Sequence, residues 1–114
     1  MFTHEKFEAY QLAIQFTRLA LQCLDEMPPE NAHVRDQLRR AAFSVSSNIA
    51  EGIGTKGRSD RVRLYSVARG SAVDCAAICK FIAIAHPASL PKTELAKATL
   101  KSILNILSTV CSSR

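Results

Sequence analysis

Along residues 5–26, Glu8, Gln11, Gln15, Arg18, Gln22 and Asp25 recur at spacings of three and four. Such a rhythm draws one polar stripe along an α-helix. The rest of that circumference is apolar in two directions, with Tyr10, Ala13, Ile14, Leu21 and Leu24 on one flank and Leu12, Phe16, Leu19 and Cys23 on the other. A helix that faces only one neighbour carries a narrower apolar face. Met27-Pro28-Pro29 predicts the stop, because proline cannot continue a helix and restricts the residue before it. A second helix is predicted from Asn31 to Gly52, with Val34, Leu38, Ala41, Ala42, Val45 and Ile49 as its core seam and Phe43 and Ala50 pointing nearly the other way.

Residues 52–57 hold three of the four glycines and read as a loop, after which Ser59-Asp60 offers an N-cap for a third helix running to Ala85. From Cys75 onward nearly every side chain of that helix except Lys80 is apolar, so its far end should be covered on several sides. His86-Pro87 through Pro91 is the next connection. The fourth helix, from Lys92 to Cys111, sets Glu94, Lys97, Lys101, Asn105, Ser108 and Ser112 on a polar stripe opposite Leu100, Ile103, Leu104, Leu107 and Val110. No segment alternates with the period of two that a half-buried strand shows. Four long helices with short connections predict an all-α fold, an antiparallel up-and-down four-helix bundle in one domain over residues 1–114. The surplus apolar faces on helices 1, 3 and 4 predict self-association.

The 114 residues are 47% hydrophobic, enough to bury a core and too many for a disordered chain. "MFTHEKFEAY" lacks the basic and apolar regions of a secretory signal, and the longest apolar run, Cys75 to Ala85, is too short to span a bilayer. The expectation is a cytoplasmic protein without a membrane partner. Cys23, Cys75, Cys79 and Cys111 form no C-x-x-C pair and have no histidine at ligand spacing. They read as reduced, buried small hydrophobes, with no metal and no cofactor expected.

Charge placement is more informative than its sum. Arg35, Arg39, Arg40, Lys56, Arg58, Arg61, Arg63 and Arg69 face only Asp36, Glu51 and Asp60 in the middle third, which therefore carries the chain's whole net +5. The first seven are candidate contacts to an RNA or DNA backbone. The alternative is a solvated basic face on a protein-interaction scaffold, and charge alone leaves both open. No aromatics interleave the cluster, so any binding should be backbone-driven and salt-sensitive.

"GIGTKG" over residues 52–57 spells G-x-G-x-x-G, but dinucleotide binding needs a strand before the glycines and a helix after them. A helix precedes these, and the glycines read as the end of helix 2. His4, His33 and His86 are spaced to pair with no nucleophile, so no catalytic residue is assigned and the chain is not read as an enzyme. In "SSNIAEG", Ser44, Asn48 and Glu51 share a flank with Arg40 beside the core seam, while Ser71 and Asp74 stand one turn apart on helix 3. A polar clasp between helices 2 and 3 is expected there, with Asn48 and Glu51 buried and bonded to Ser71 or Arg40. Gly70 is expected to mark a close helix crossing.

"QLRRAAFSVSSNIAEGIG" followed by "RLYSVARGSAVD" resembles the four-helix-bundle proteins encoded by intervening sequences in bacterial 23S ribosomal RNA genes. The residues that carry the resemblance are Arg39, Arg40, Ser44, Ser47 to Gly52, Ala68, Gly70 and Ser71. Asp74 stands where that family usually has Glu, Arg69 replaces an apolar residue, and Tyr10 stands where Trp is common. The resemblance implies an up-and-down bundle assembled as a homopentamer. It extends to the accessory variability protein of diversity-generating retroelements, which implies nucleic acid and, in a retroelement, a reverse transcriptase as partners.

Overall fold

The computed structural model describes residues 2–27 and 31–112. Four α-helices account for nearly all of them: α1 (Phe2–Asp25), α2 (Ala32–Gly54), α3 (Arg58–Ala85) and α4 (Leu90–Ser112), with one 3-10 turn at Pro87–Ser89. Each helix packs on its two sequence neighbours and α1 closes on α4, which makes the antiparallel bundle, 44 × 21 × 18 Å.

The seams show why these sequences pack this way. Tyr65, Ala68, Ala72, Cys75, Cys79 and Ile82 of α3 are all buried, as are Ala96, Leu100, Ile103, Leu107 and Val110 of α4. Their alternating spacings of three and four are the 3.5-residue repeat of nearly aligned helices. Leu38, Ala42, Val45 and Ile49 continue the pattern on α2, and Ala9, Ala13, Phe16, Ala20 and Leu24 on α1. Of the expected seam of α2, Leu38, Ala42, Val45 and Ile49 are buried and Val34 and Ala41 pack partly buried at its edge, and Phe43 and Ala50 do point outward. On α1 the alanines take the innermost line, while Leu21 is exposed.

The ends differ from the sequence expectation in instructive ways. α2 runs two residues past Gly52, and none of the described glycines has positive φ. Gly52 is therefore not a left-handed terminator. It is buried, and a Cβ there would lie 2.3 Å from Cε1 of Tyr65. The close approach expected at Gly70 belongs to Gly52, since a Cβ at Gly70 would meet nothing within 4 Å. The loop shrinks to residues 55–57. Gly57, extended at φ −73° and ψ 131°, precedes α3, so Ser59 and Asp60 lie inside the first turn and neither caps it. Asp60 still complements the helix dipole.

At the other end Asn31 Nδ2 donates to Nε2 of His86 at 3.0 Å, tying the start of α2 to the end of α3. Lys92 pairs with Glu26 across the α1–α4 contact. Of the predicted stop for α1, Met27 is buried and Pro28 and Pro29 lie outside the described residues. α4 begins two residues before Lys92, with Pro91 in its first turn, where a missing N–H costs nothing.

The C-terminal part of α3 is not covered on its outer side within the single chain: Phe81 is 53% exposed and Ile84 72%. No described helix is long and apolar enough to cross a membrane.

The two helical glycines should respond oppositely to alanine. Gly52→Ala must push the buried Tyr65 ring aside and should cost about 1–3 kcal/mol. Gly70→Ala, in open space, should gain about 0.5–1 kcal/mol. Urea unfolding of the two variants checks the contrast, and equal responses would place the close approach elsewhere.

Candidate nucleic-acid interface

α2 and α3 carry the basic side chains, and their pairing is held by a short polar ladder. Ser44 Oγ lies 2.6 Å from Ser71 Oγ across the helix pair. Asn48 Nδ2 donates back to Ser44, to the carbonyl at 2.8 Å and to the hydroxyl at 3.1 Å. The contact joins Ser44, Asn48 and Ser71 of the expected clasp, all partly buried. Glu51 and Asp74 do not enter it. Both are exposed, because each sits a further step round its helix from the seam. Arg40 is occupied elsewhere, pairing with Asp36 one turn earlier at 2.9 Å.

The seven candidate cations divide by what their side chains do. Arg35 Nη1 donates to the carbonyls of Leu24 and Met27 at 2.5 and 3.0 Å. These are carbonyls that the end of α1 leaves without helical partners, so Arg35 caps α1 rather than facing outward. Arg61 Nη1 donates to the carbonyls of Thr55 and Lys56 and pins the α2–α3 loop. Thr55 adds a bond from its hydroxyl to the Glu51 carbonyl at 2.6 Å. Arg39, Arg40, Lys56, Arg58 and Arg63 are exposed. Lys56, Arg58 and Arg63 gather at the loop end, whereas Arg39 and Arg40 lie roughly 20 Å along α2 from it at helical rise.

Arg39 and Arg40 flank different grooves. Arg39 borders an apolar groove of about 410 Å³ between α1 and α2, with Tyr10, Ile14, Leu21 and Phe43 in its lining. Arg40 borders a groove of about 520 Å³ between α2 and α3, shared with Gln37 and Asp74. The cationic surface is therefore a track with two levels rather than a single patch, a form suited to a phosphate backbone more than to a small anion.

The glycine run cannot cradle a pyrophosphate, since Gly52 and Gly54 are helical and the Gly52 position is filled by the Tyr65 ring. Burial pushes the Tyr65 phenol up, while the Arg61 guanidinium partly opposes it. Cys75 and Cys79 are buried thiols pushed up to about 12 by desolvation, which disfavours the thiolate that nucleophilic or metal chemistry needs. No described group of three or more His, Cys, Asp or Glu side chains could hold a metal ion. Arg35 and Arg61 are the functional-looking residues whose role sequence spacing misses. The available signal was position, since each is the fourth residue of its helix, in the first turn after a connection.

Comparison with known proteins agrees with this architecture. The profile of the 23S rRNA-intervening sequence proteins matches residues 5–109. The crystal structure of a protein of unknown function of the S23 ribosomal protein family from Bacteroides thetaiotaomicron superposes with a TM-score of 0.71 at 13% identity, covering 99% of this chain and 100% of that one. At that identity the likeness speaks for the fold. No curated protein matches the chain.

The division of the arginines can be measured. Arg35→Ala removes the guanidinium donor from the Met27 carbonyl and one of two donors from the Leu24 carbonyl, which keeps the Met27 N–H, and should cost about 1–3 kcal/mol in urea unfolding. Arg39→Ala should change stability by less than about 0.5 kcal/mol. Equal losses would show that Arg35 is not a cap.

Proposed function

The chain belongs to the 23S rRNA-intervening sequence protein family, and we propose that its activity is electrostatic binding of nucleic acid, RNA in the first place. The observation that carries this is the exposure of Arg39, Arg40, Lys56, Arg58 and Arg63 on two consecutive helices and the loop between them, which together hold the chain's whole positive excess. Arg35 and Arg61 support those helices from beneath and are withdrawn from the contact set. Phe43, beside Arg39, is the one large exposed aromatic among these cations, so the contact is drawn chiefly from phosphates rather than from base stacking. The protein acts as a cytoplasmic, non-catalytic binding module.

Self-association belongs to the same proposal. The family resemblance favours a homopentameric ring, and exposed Phe43, Phe81 and Ile84 supply apolar surface for contacts between copies. A ring repeats the basic track around its circumference. A strong field then arises from a modest +5 per chain.

Fluorescence anisotropy with a labelled RNA oligomer, titrated with salt, tests the proposal. Five phosphate contacts per subunit predict a log–log slope of about −3.5 to −4.5. Arg39→Glu with Arg58→Glu should abolish binding at low salt, and Lys101→Glu on the outer face of α4 should leave it nearly unchanged. A flat salt response, or full affinity in the double variant, would overturn the proposal and favour a protein-interaction scaffold.

A further inference from the structure

We propose that the apolar groove between α1 and α2 is a nucleobase site. One unstacked base of a single-stranded RNA, adenine in preference to uracil, lies there against Phe43 while its phosphate meets Arg39. The inference rests on the nucleic-acid binding proposed above and names the form of its substrate.

Among the grooves that border α2, this one sets a cation beside an aromatic ring with no acid in its lining. The groove between α2 and α3 holds Arg40 together with Asp74 and has no aromatic. The slot beside Phe81 has His33 and Gln37 but no lysine or arginine. The volume of the α1–α2 groove, about 410 Å³, falls within the ~300–1,000 Å³ typical of small-molecule sites.

The lining follows the order of a nucleotide. Arg39 and Phe43 are four residues apart, so they stand one turn apart on the same side of α2, about 6 Å in rise. Ser46 and Ser47 follow within the next turn. Cation, ring and hydroxyls thus succeed one another over about 12 Å, as phosphate, base face and base edge do in one nucleotide. Ile14 and Leu21 of α1 form the facing wall. Asp36 pairs with Arg40 rather than with Arg39, which leaves the Arg39 guanidinium to a phosphate. Phe43 is 70% exposed, so a base covers one side of its ring and leaves the other for a contact between copies.

The hydroxyls set the preference. Thr17 Oγ1 donates to the Ala13 carbonyl at 2.8 Å, Ser46 Oγ to the Phe43 carbonyl at 3.2 Å and Ser47 Oγ to the Ser44 carbonyl at 3.5 Å. With their hydrogens turned into their own helices, these oxygens offer lone pairs to the groove. Adenine brings an amino group and no carbonyl, whereas uracil brings two carbonyls, which lone pairs repel. A base must leave the stack to enter, and that selects single strands and loops over a duplex.

Fluorescence anisotropy tests the site with three labelled RNA decamers: oligouridine, the same strand with one central adenosine, and the same strand with an abasic ribose at that position. The adenosine strand should bind about five- to tenfold tighter than the other two, at the lower end of what one stacked base contributes. Phe43→Ala should bring the three strands within about twofold of one another and leave the salt slope unchanged, since no phosphate contact is lost. The ring is exposed, so its truncation spares the core. The readout is a ratio between strands, and a change in assembly that scales all three alike does not enter it. Arg39→Ala should instead weaken all three and lower the slope. Equal wild-type affinity for the three strands, with the salt slope intact, would overturn the base site and leave phosphate binding standing. An adenosine preference that survives Phe43→Ala would overturn it as well. Failure of every strand to bind would overturn both readings.

Discussion

The closeness of α2 to α3 is the constraint on which the rest of the structure depends. Gly52 gives up its side chain so that the Tyr65 ring can lie against the backbone of α2. Eight residues along α2 and six along α3, Ser44 and Ser71 meet through their hydroxyls. The two contacts fix both the separation and the register of the helices that carry the basic side chains. With the hairpin closed, Arg61 can reach the loop carbonyls and Lys56, Arg58 and Arg63 are gathered at one end. A wider hairpin would leave the loop without its guanidinium and the cations without a common edge.

The bundle shows a division of labour among residues of one type. Arg35 and Arg61 use the same planar donor group as their neighbours, but aim it at peptide carbonyls at and just beyond helix ends. Five other cations remain at the surface, where their interaction with an anion is weakened by salt and their own cost is small. Under the proposed function, binding is drawn from the exposed members of the basic cluster and stability from Arg35 and Arg61. Cys23, Cys75 and Cys79 stand outside this division, as buried packing units whose thiols burial pushes up.

Much of this was legible in the sequence because heptad-like spacing is a one-dimensional signal. The seam Leu38–Ala42–Val45–Ile49, the outward Phe43 and Ala50, and the inward face of α4 can all be read from intervals of three and four. What was not legible depends on where long side chains end or on what a neighbouring helix places nearby. Gly52 and Gly70 are indistinguishable in sequence terms, and only the position of the Tyr65 ring decides which of them is sterically required. Arg35 and Arg39 are one turn apart on one helix, yet the carbonyls of Leu24 and Met27 lie within reach of the first. Glu51 and Asp74 border the seam on a helical wheel, and a step of a few tens of degrees puts them in solvent rather than in the clasp.

The central claim, that the α2–α3 surface is where nucleic acid binds, is tested most directly by amide hydrogen exchange with and without a short RNA at low salt. The account predicts slowed exchange in residues 54–63, centred on the loop and the first turn of α3, with α4 unaffected. Protection confined to α4 or to the first half of α1, with residues 54–63 unchanged, would contradict it.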